Sequence, residues 1–151
     1  MYQRILVPVD GSSTSKRGLA EAIALARLTG GQLRLLHRLD ALSVTSAMGA
    51  YGAYGGDALA QMRTDGENLL AQARALAVAE GVAADVVLDD GVRSRLADWV
   101  VEEVRAWPAD IVVLGTHGRR GVGRMLLGSD AEQVLRISPV PVLLVRSQDT
   151  E

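Results

Sequence analysis

Five short apolar runs recur along the chain, at residues 4–9 (RILVPV), 33–37 (LRLLH), 82–89 (VAADVVLD), 110–114 (DIVVL) and 139–146 (PVPVLLVR). Between each pair lies a segment with helical rather than strand period. This alternation constrains the fold more than any other feature. Strands that follow one another through helices pair in parallel, because a parallel pair needs a crossover of a dozen or more residues. Leu19, Ala22, Ile23 and Ala26 mark the inner face of a first helix, which Gly30 and Gly31 stop. A long helix is expected from about Asp57, turning Leu59, Met62, Leu69, Leu70, Ala73, Leu76 and Ala77 inward until Gly81 ends it. Gly66 within it predicts a kink or break, since glycine costs a helix about 1 kcal/mol relative to alanine. Leu96, Trp99, Val100 and Val104 define a third helix over about 93–106, with Pro108 beyond its end. A short helix is expected from Ser129 to Ile137. Residues 41–57 (ALSVTSAMGAYGAYGGD) lack a clear period and read as a mobile loop.

The expected fold is therefore one α/β domain over residues 1–151. It is an open, mainly parallel five-stranded sheet with helices on both faces, Rossmann-like, in the order 3-2-1-4-5. At 151 residues the chain is long enough to bury a core of its own.

Composition then narrows the function. No apolar run approaches the roughly 20 residues of a membrane span. The start, MYQRILVPVD, enters a strand without the segments of a secretion signal. There is no cysteine, which removes disulfides and thiolate chemistry. A cytoplasmic protein with no membrane partner is expected. A net charge of −2 and 3% aromatic residues argue against nucleic acid as a partner, which calls for a basic surface or stacking platforms. No His and carboxylate spacing suggests zinc, and none of the residues is read as a protein-held metal ligand.

Ligands of open α/β sheets bind beyond the carboxyl ends of strands, where the strand order reverses. With strand one central, the loops after strands one and four face each other there. They are DGSSTS (10–15) and GTHGRRGVGRMLLGS (115–129), the second holding five glycines and three arginines. Glycine density of this kind lets a backbone approach phosphate. The dinucleotide pattern G-x-G-x-x-G does not fit, because Gly118, Gly121 and Gly123 run in the opposite order. The Walker A pattern fails as well: Arg124 and Met125 follow Gly123 where lysine and a hydroxyl residue belong. Without that lysine nothing reaches the terminal phosphates in the P-loop manner.

A different spacing does fit. Gly115-x-x-Gly118, nine residues, then Gly128-Ser129 resembles the G-2x-G-9x-G-[S/T] pattern of nucleotide-binding universal stress proteins. RILVPVDGS at the start, LLH at the end of strand two and THGRRGVGRMLLGSDAEQVLRISPVPVLLVR near the end extend the resemblance over nearly the whole chain, with 38–60 matching least. The resemblance implies an ATP site. Gly115 and Gly118 would offer main-chain N–H groups to phosphates, as would Gly128, Ser129 and Asp130 at a helix start. Asp130 departs from the pattern, placing a carboxylate beside a polyphosphate. Asp10 would accept hydrogen bonds from ribose or base, with Pro8, Val9 and Leu114 lining the base. Arg38, where valine is more usual, would contact adenine through its main chain. Any Mg²⁺ or Mn²⁺ would arrive with the phosphates.

Several residues keep two readings. Ser129 with Glu132 forms the S-x-x-E spacing of a capping box, a role that needs no ligand. Arg119, Arg120 and Arg124 either neutralise phosphate or are solvated loop cations. His117 is a general base, a phosphate donor or simply a hydrogen-bonding loop residue. His37 reads as structural. Asp10 is also a turn or cap residue, with Ser12 and Ser13 as competing caps for the first helix. Three functions remain: an ATP-binding regulatory module with an unknown protein partner, in which the ligand orders 41–57; a slow ATPase or self-phosphorylating enzyme; and a nucleotide-independent dimeric interaction protein. The family resemblance implies a homodimer through the last strand, with a higher oligomer as the alternative.

Overall fold

The computed structural model describes residues 1–40, 43, 45, 46, 49, 55–91, 95–117 and 127–146. Nine elements follow in chain order: β1 (Arg4–Pro8), α1 (Ser13–Thr29), β2 (Gln32–Arg38), α2 (Gly55–Ala79), β3 (Ala84–Asp89), α3 (Leu96–Ala106), β4 (Ile111–Gly115), α4 (Ser129–Ile137) and β5 (Val142–Val145). The five strands form one parallel sheet in the order β3-β2-β1-β4-β5, as the sequence predicts.

Each central strand is apolar on both faces, as a parallel sheet covered by helices requires. Ile5, Val7 and Val9 face α1 and α2, together with Leu33, Leu35 and Val113. Leu6, Leu36, Val112 and Leu114 point the other way, against Trp99, Val100 and Val104 of α3 and Ala131 and Val134 of α4. Ser12 caps α1 by accepting a hydrogen bond from Ser15 N–H at 3.2 Å, and Gly30 ends it in the left-handed conformation at φ 67°. Of the two serines expected to compete for that cap, Ser12 holds it.

Three local expectations are corrected. Gly66 does not break α2, which runs uninterrupted for 25 residues. A Cβ at Gly66 would sit 3.0 Å from side-chain atoms of His37, Leu39 and Leu88, so the glycine is there to let the helix approach the sheet. Helix α2 also begins at Gly55, so residues 55–57 leave the expected loop; most of 41–54 lies outside the described residues. Leu76, assigned inward by its period, is 58% exposed.

Candidate functional site

The strand order places its reversal between β1 and β4, and the structure ties the two loops there together. The Thr14 hydroxyl, buried at the start of α1, donates to the His117 carbonyl beyond β4. On the β1 side the turn closes on itself. Asp10 Oδ1 accepts from Ser12 N–H at 2.9 Å, and the Asp10 N–H donates to Ser15 Oγ at 3.0 Å. Gly11 takes φ 81°, a conformation that glycine adopts without strain. The Asp10 carboxylate is therefore fixed at the mouth of the crevice by an Asx turn. Beside it, buried Val9 joins the α1/α2 side of the core, and its carbonyl is 2.7 Å from His37 Nδ1. That bond makes His37 a brace for the end of β1. Pro8 is half-buried one residue before.

Gly115 ends β4 without a positive φ. A Cβ there would lie 2.7 Å from the Thr14 carbonyl carbon and 2.9 Å from Ser15 N. Its lack of a side chain lets the β4 backbone rest on the first turn of α1, a demand of packing. Gly18 completes the approach one turn later, where a Cβ would meet Gly115 N at 3.3 Å. Neither Gly18 nor Thr14 stands out in the sequence, although a small residue facing inward on α1 is a signal for close packing.

Beyond β4, Thr116 is buried and anchored. Its N–H donates to the Val145 carbonyl at 2.9 Å, and its own carbonyl accepts from Gly128 N–H at 2.7 Å. The second bond pins the two ends of the 117–127 excursion to each other. His117 Nδ1 pairs with the Thr116 hydroxyl at 3.0 Å, and its Nε2 is buried with no partner among the described residues. Gly118 and Arg119, with Arg120 and Arg124, lie outside the described residues.

The start of α4 differs from the expected capping box. Gly128 occupies the N-cap position with φ −60° and ψ 147°, and no side chain caps the helix. Ser129 is already the first helical residue, so its hydroxyl is not placed to receive the third N–H group; the Gly128 carbonyl instead accepts from Glu132 N–H at 2.9 Å. Ser129 and Asp130 are exposed at this uncapped start. Uncapped first-turn N–H groups, at the positive end of the helix dipole, form a ready anion site.

Two expected base contacts are not brought together by their side chains. Leu114 is buried among the α3/α4 residues, on the opposite sheet face from Val9. Arg38 also turns to the α3 face, where its guanidinium bonds Asp89 Oδ2 at 2.7 Å and lies 5.3 Å from the Trp99 ring centroid. Its cation is thus engaged within the fold. Among the described residues no group of three or more His, Asp or Glu side chains is placed to hold a metal. No helix there is long and apolar enough to cross a membrane.

Comparison with known proteins agrees with this architecture. The family profile described as universal stress protein matches residues 1–146. The Thermus aquaticus protein described as universal stress protein in QAH/OAS sulfhydrylase 3'region is 33% identical over 146 residues, covering 97% of this chain and all of its own. The solved structure of MJ0577 from Methanocaldococcus jannaschii aligns with a TM-score of 0.84 at 24% identity over 99% of each chain. A universal stress protein from Archaeoglobus fulgidus in complex with dAMP aligns at TM-score 0.69 and 23% identity, covering 95% of this chain and 98% of its own. Another, in complex with cAMP, aligns at TM-score 0.67 and 23% identity over 96% of this chain and 98% of its own. At these identities the structural likeness speaks to the fold.

Proposed function

This chain belongs to the universal stress protein family, and we propose that within it the protein is a regulatory module that binds an adenine nucleotide, ATP foremost, in the β1/β4 crevice. The observation that carries this reading is the uncapped start of α4, held beside Thr116 by the bond from Gly128 N–H. Helix starts usually take a Ser, Thr, Asp or Asn cap. Here the chain supplies Ser129 one position late and leaves the first-turn donors open to an anion. The dAMP and cAMP complexes of similarly folded proteins support an adenine nucleotide as that anion's carrier.

In this reading the phosphates lie against the α4 start and the 115–118 turn, meeting main-chain N–H groups of Gly115, Gly118, Ser129 and Asp130, with Arg119 adding positive charge. The unpartnered His117 Nε2 is a donor or acceptor for them. Asp10 accepts the ribose hydroxyls, Val9 and Pro8 flank the base, and the Arg38 main chain meets its edge. Mg²⁺ or Mn²⁺ enters with the phosphates and shields the Asp130 carboxylate. The output is a shift in conformation or partner affinity, which requires the nucleotide to bind two states unequally. One domain over 1–151, working in the cytoplasm as a homodimer, completes the proposal.

Thermal unfolding with ATP, AMP, GTP and cyclic AMP tests it. A ligand at one hundred times its Kd stabilises by about 2.7 kcal/mol, which raises the Tm of a domain this size by several degrees. ATP is expected to give such a shift. No shift with any adenine nucleotide at millimolar concentration overturns the proposal and favours a nucleotide-independent interaction protein.

A further inference from the structure

Strand β3 is one edge of the sheet, and α2 packs over it. Between them runs an open groove of about 570 Å³. Leu70, Ala71, Ala75 and Val78 of α2 line one side, and Val86 and Leu88 of β3 line the other. Val78 is 56% exposed and Val86 39%, so the apolar surface of α2 continues past its buried face and lies open here. Two charges stand in this groove, Glu67 and Arg74. Both are exposed, and neither makes an ion pair or hydrogen bond with another described residue.

Glu67, Ala71, Arg74 and Val78 recur at helical spacing and form one row along α2. Glu67 and Arg74 are two turns apart, roughly 10 Å along the axis. A row with an anion at one point and a cation two turns on is complementary to its own reverse. Across a two-fold axis passing between residues 70 and 71, Glu67 of one copy meets Arg74 of the other, and Arg74 meets Glu67. The same operation sets Leu70 against Ala71 and covers both apolar rows. Charges that cancel in this way do not favour a lipid surface or a nucleic acid, each of which calls for a cationic excess. Asp85 and Asp89 do not oppose the contact, because Arg34 and Arg38 hold them on the α3 side of the sheet.

We propose that the α2/β3 groove is a self-association face, on which two copies of the chain pack α2 against α2 in antiparallel register through reciprocal Glu67–Arg74 ion pairs. The face lies at the sheet edge opposite β5, so it is additional to a dimer through the last strand and links such dimers to one another. A small contact with exposed ion pairs is weak, and association belongs to protein concentrations well above micromolar.

Sedimentation equilibrium of the full chain from about 10 µM to about 1 mM tests the proposal. The mass present at the lowest concentration is expected to rise about twofold or more at the highest. Glu67→Arg and Arg74→Glu each set like charges opposite one another at two places, and each should weaken the association by about tenfold or more. Both positions are exposed, so the fold is retained. An equimolar mixture of the two variants restores opposite charges across the axis, as does the double variant, and both should associate like the wild type. The chain has no cysteine, so Ala71→Cys should form a disulfide between copies, whereas Asn68→Cys, on the α1 side of the helix, should not. A wild-type mass that does not rise overturns the proposal. So does a rise that the single reversals leave unchanged, or one that neither the mixture nor the double variant restores. Crosslinking at Asn68→Cys equal to that at Ala71→Cys overturns it as well.

Discussion

A methyl group at position 115 has no room. The atoms it would strike at 2.7 to 2.9 Å are backbone atoms of Thr14 and Ser15, which cannot swing aside as a side-chain tip can. Gly115→Ala is expected to cost about 1–3 kcal/mol through overpacking, read as a lower urea midpoint with unchanged m-value. Ser129 is the opposite case. A serine that caps a helix loses about 1 kcal/mol on truncation, but here the cap is Gly128 and the hydroxyl is exposed. Ser129→Ala should therefore change stability by less than about 0.5 kcal/mol, as surface substitutions do. The same variant should weaken ATP binding if that hydroxyl meets phosphate; a stability loss of a full kcal/mol would instead restore the capping role. The sequence makes both positions conspicuous, but it shows neither the packing demand at Gly115 nor the N-cap at Gly128. Spacing within one loop cannot reveal that α1 lies against Gly115. The S-x-x-E spacing is the same whether the helix starts at Ser129 or one residue earlier, and the Gly128–Thr116 bond decides the matter.

Helix α3 is fastened to the sheet by a motif used twice. Arg34 on β2 bonds Asp85 on β3 at 2.8 Å and lies 4.8 Å from the Trp107 ring. Four residues later Arg38 bonds Asp89 and lies over Trp99. Equal spacing on the two parallel strands, matched by two tryptophans eight positions apart in reverse order, follows from α3 running antiparallel to them. Asp85 and Glu103 raise the Arg34 pKa above its ordinary value, the Asp85 hydrogen bond contributing most. A raised pKa on a cation gives stability that is fully present below the unfolded value and lost only above it. The ionisation of Arg34 itself therefore adds no pH dependence to stability in the neutral or acid range. The Arg38 cluster is more enclosed, with side chains 13% and 24% exposed, and Asp89 Oδ2 also accepts from Gly91 N–H at 3.1 Å. Asp89→Ala should destabilise by about 2 kcal/mol, since it removes the charge-assisted bond to Arg38 and leaves the Gly91 N–H without its carboxylate acceptor. Combining it with Arg38→Met should cost less than the two single changes added, as measured by urea unfolding of all four proteins. Helix α2 shows the limit of periodicity at this scale. Its inner face was legible at Leu70, Ala73 and Ala77, all buried. Its glycine was read through helix propensity, whereas the position is set by three side chains at 3.0 Å. Gly66→Ala consequently sets a gain of about 1 kcal/mol in helix propensity against an overpacking cost of about 1–3 kcal/mol. With the His37 ring tethered to Val9, the neighbour cannot yield, and net destabilisation in urea is expected.

At the scale of the molecule, the order β3-β2-β1-β4-β5 could be read from the alternation of strands and helices because each crossover is right-handed and local. Which faces remain uncovered was less legible, since an isolated strand does not state what lies beyond it. The fold leaves two sheet edges, and they differ. Strand β3 carries Asp85 and Asp89, charges that discourage a second strand from docking. Strand β5 reads Val-Leu-Leu-Val with no charge at all, and Leu143 is 39% exposed. On α4, Leu135 and Ile137 are also exposed apolar residues, at 48% and 46%. An uncharged apolar edge is a liability unless it is paired. A second copy meeting it across a two-fold axis would present the same strand and satisfy both edges at once. The proposed homodimer rests on this unpaired edge and on the family resemblance. Light scattering at micromolar concentration should return twice the 16.0 kDa chain mass. Leu143→Lys should shift that mass toward the monomer, because lysine blunts a sheet edge without touching the core. The crevice between β1 and β4 lies two strands away from β3 and one from β5, so the variant should still bind ATP if one chain holds the whole site. A wild-type monomer at that concentration removes the dimer, and loss of binding in a folded monomeric variant would mean that the nucleotide site depends on the pair.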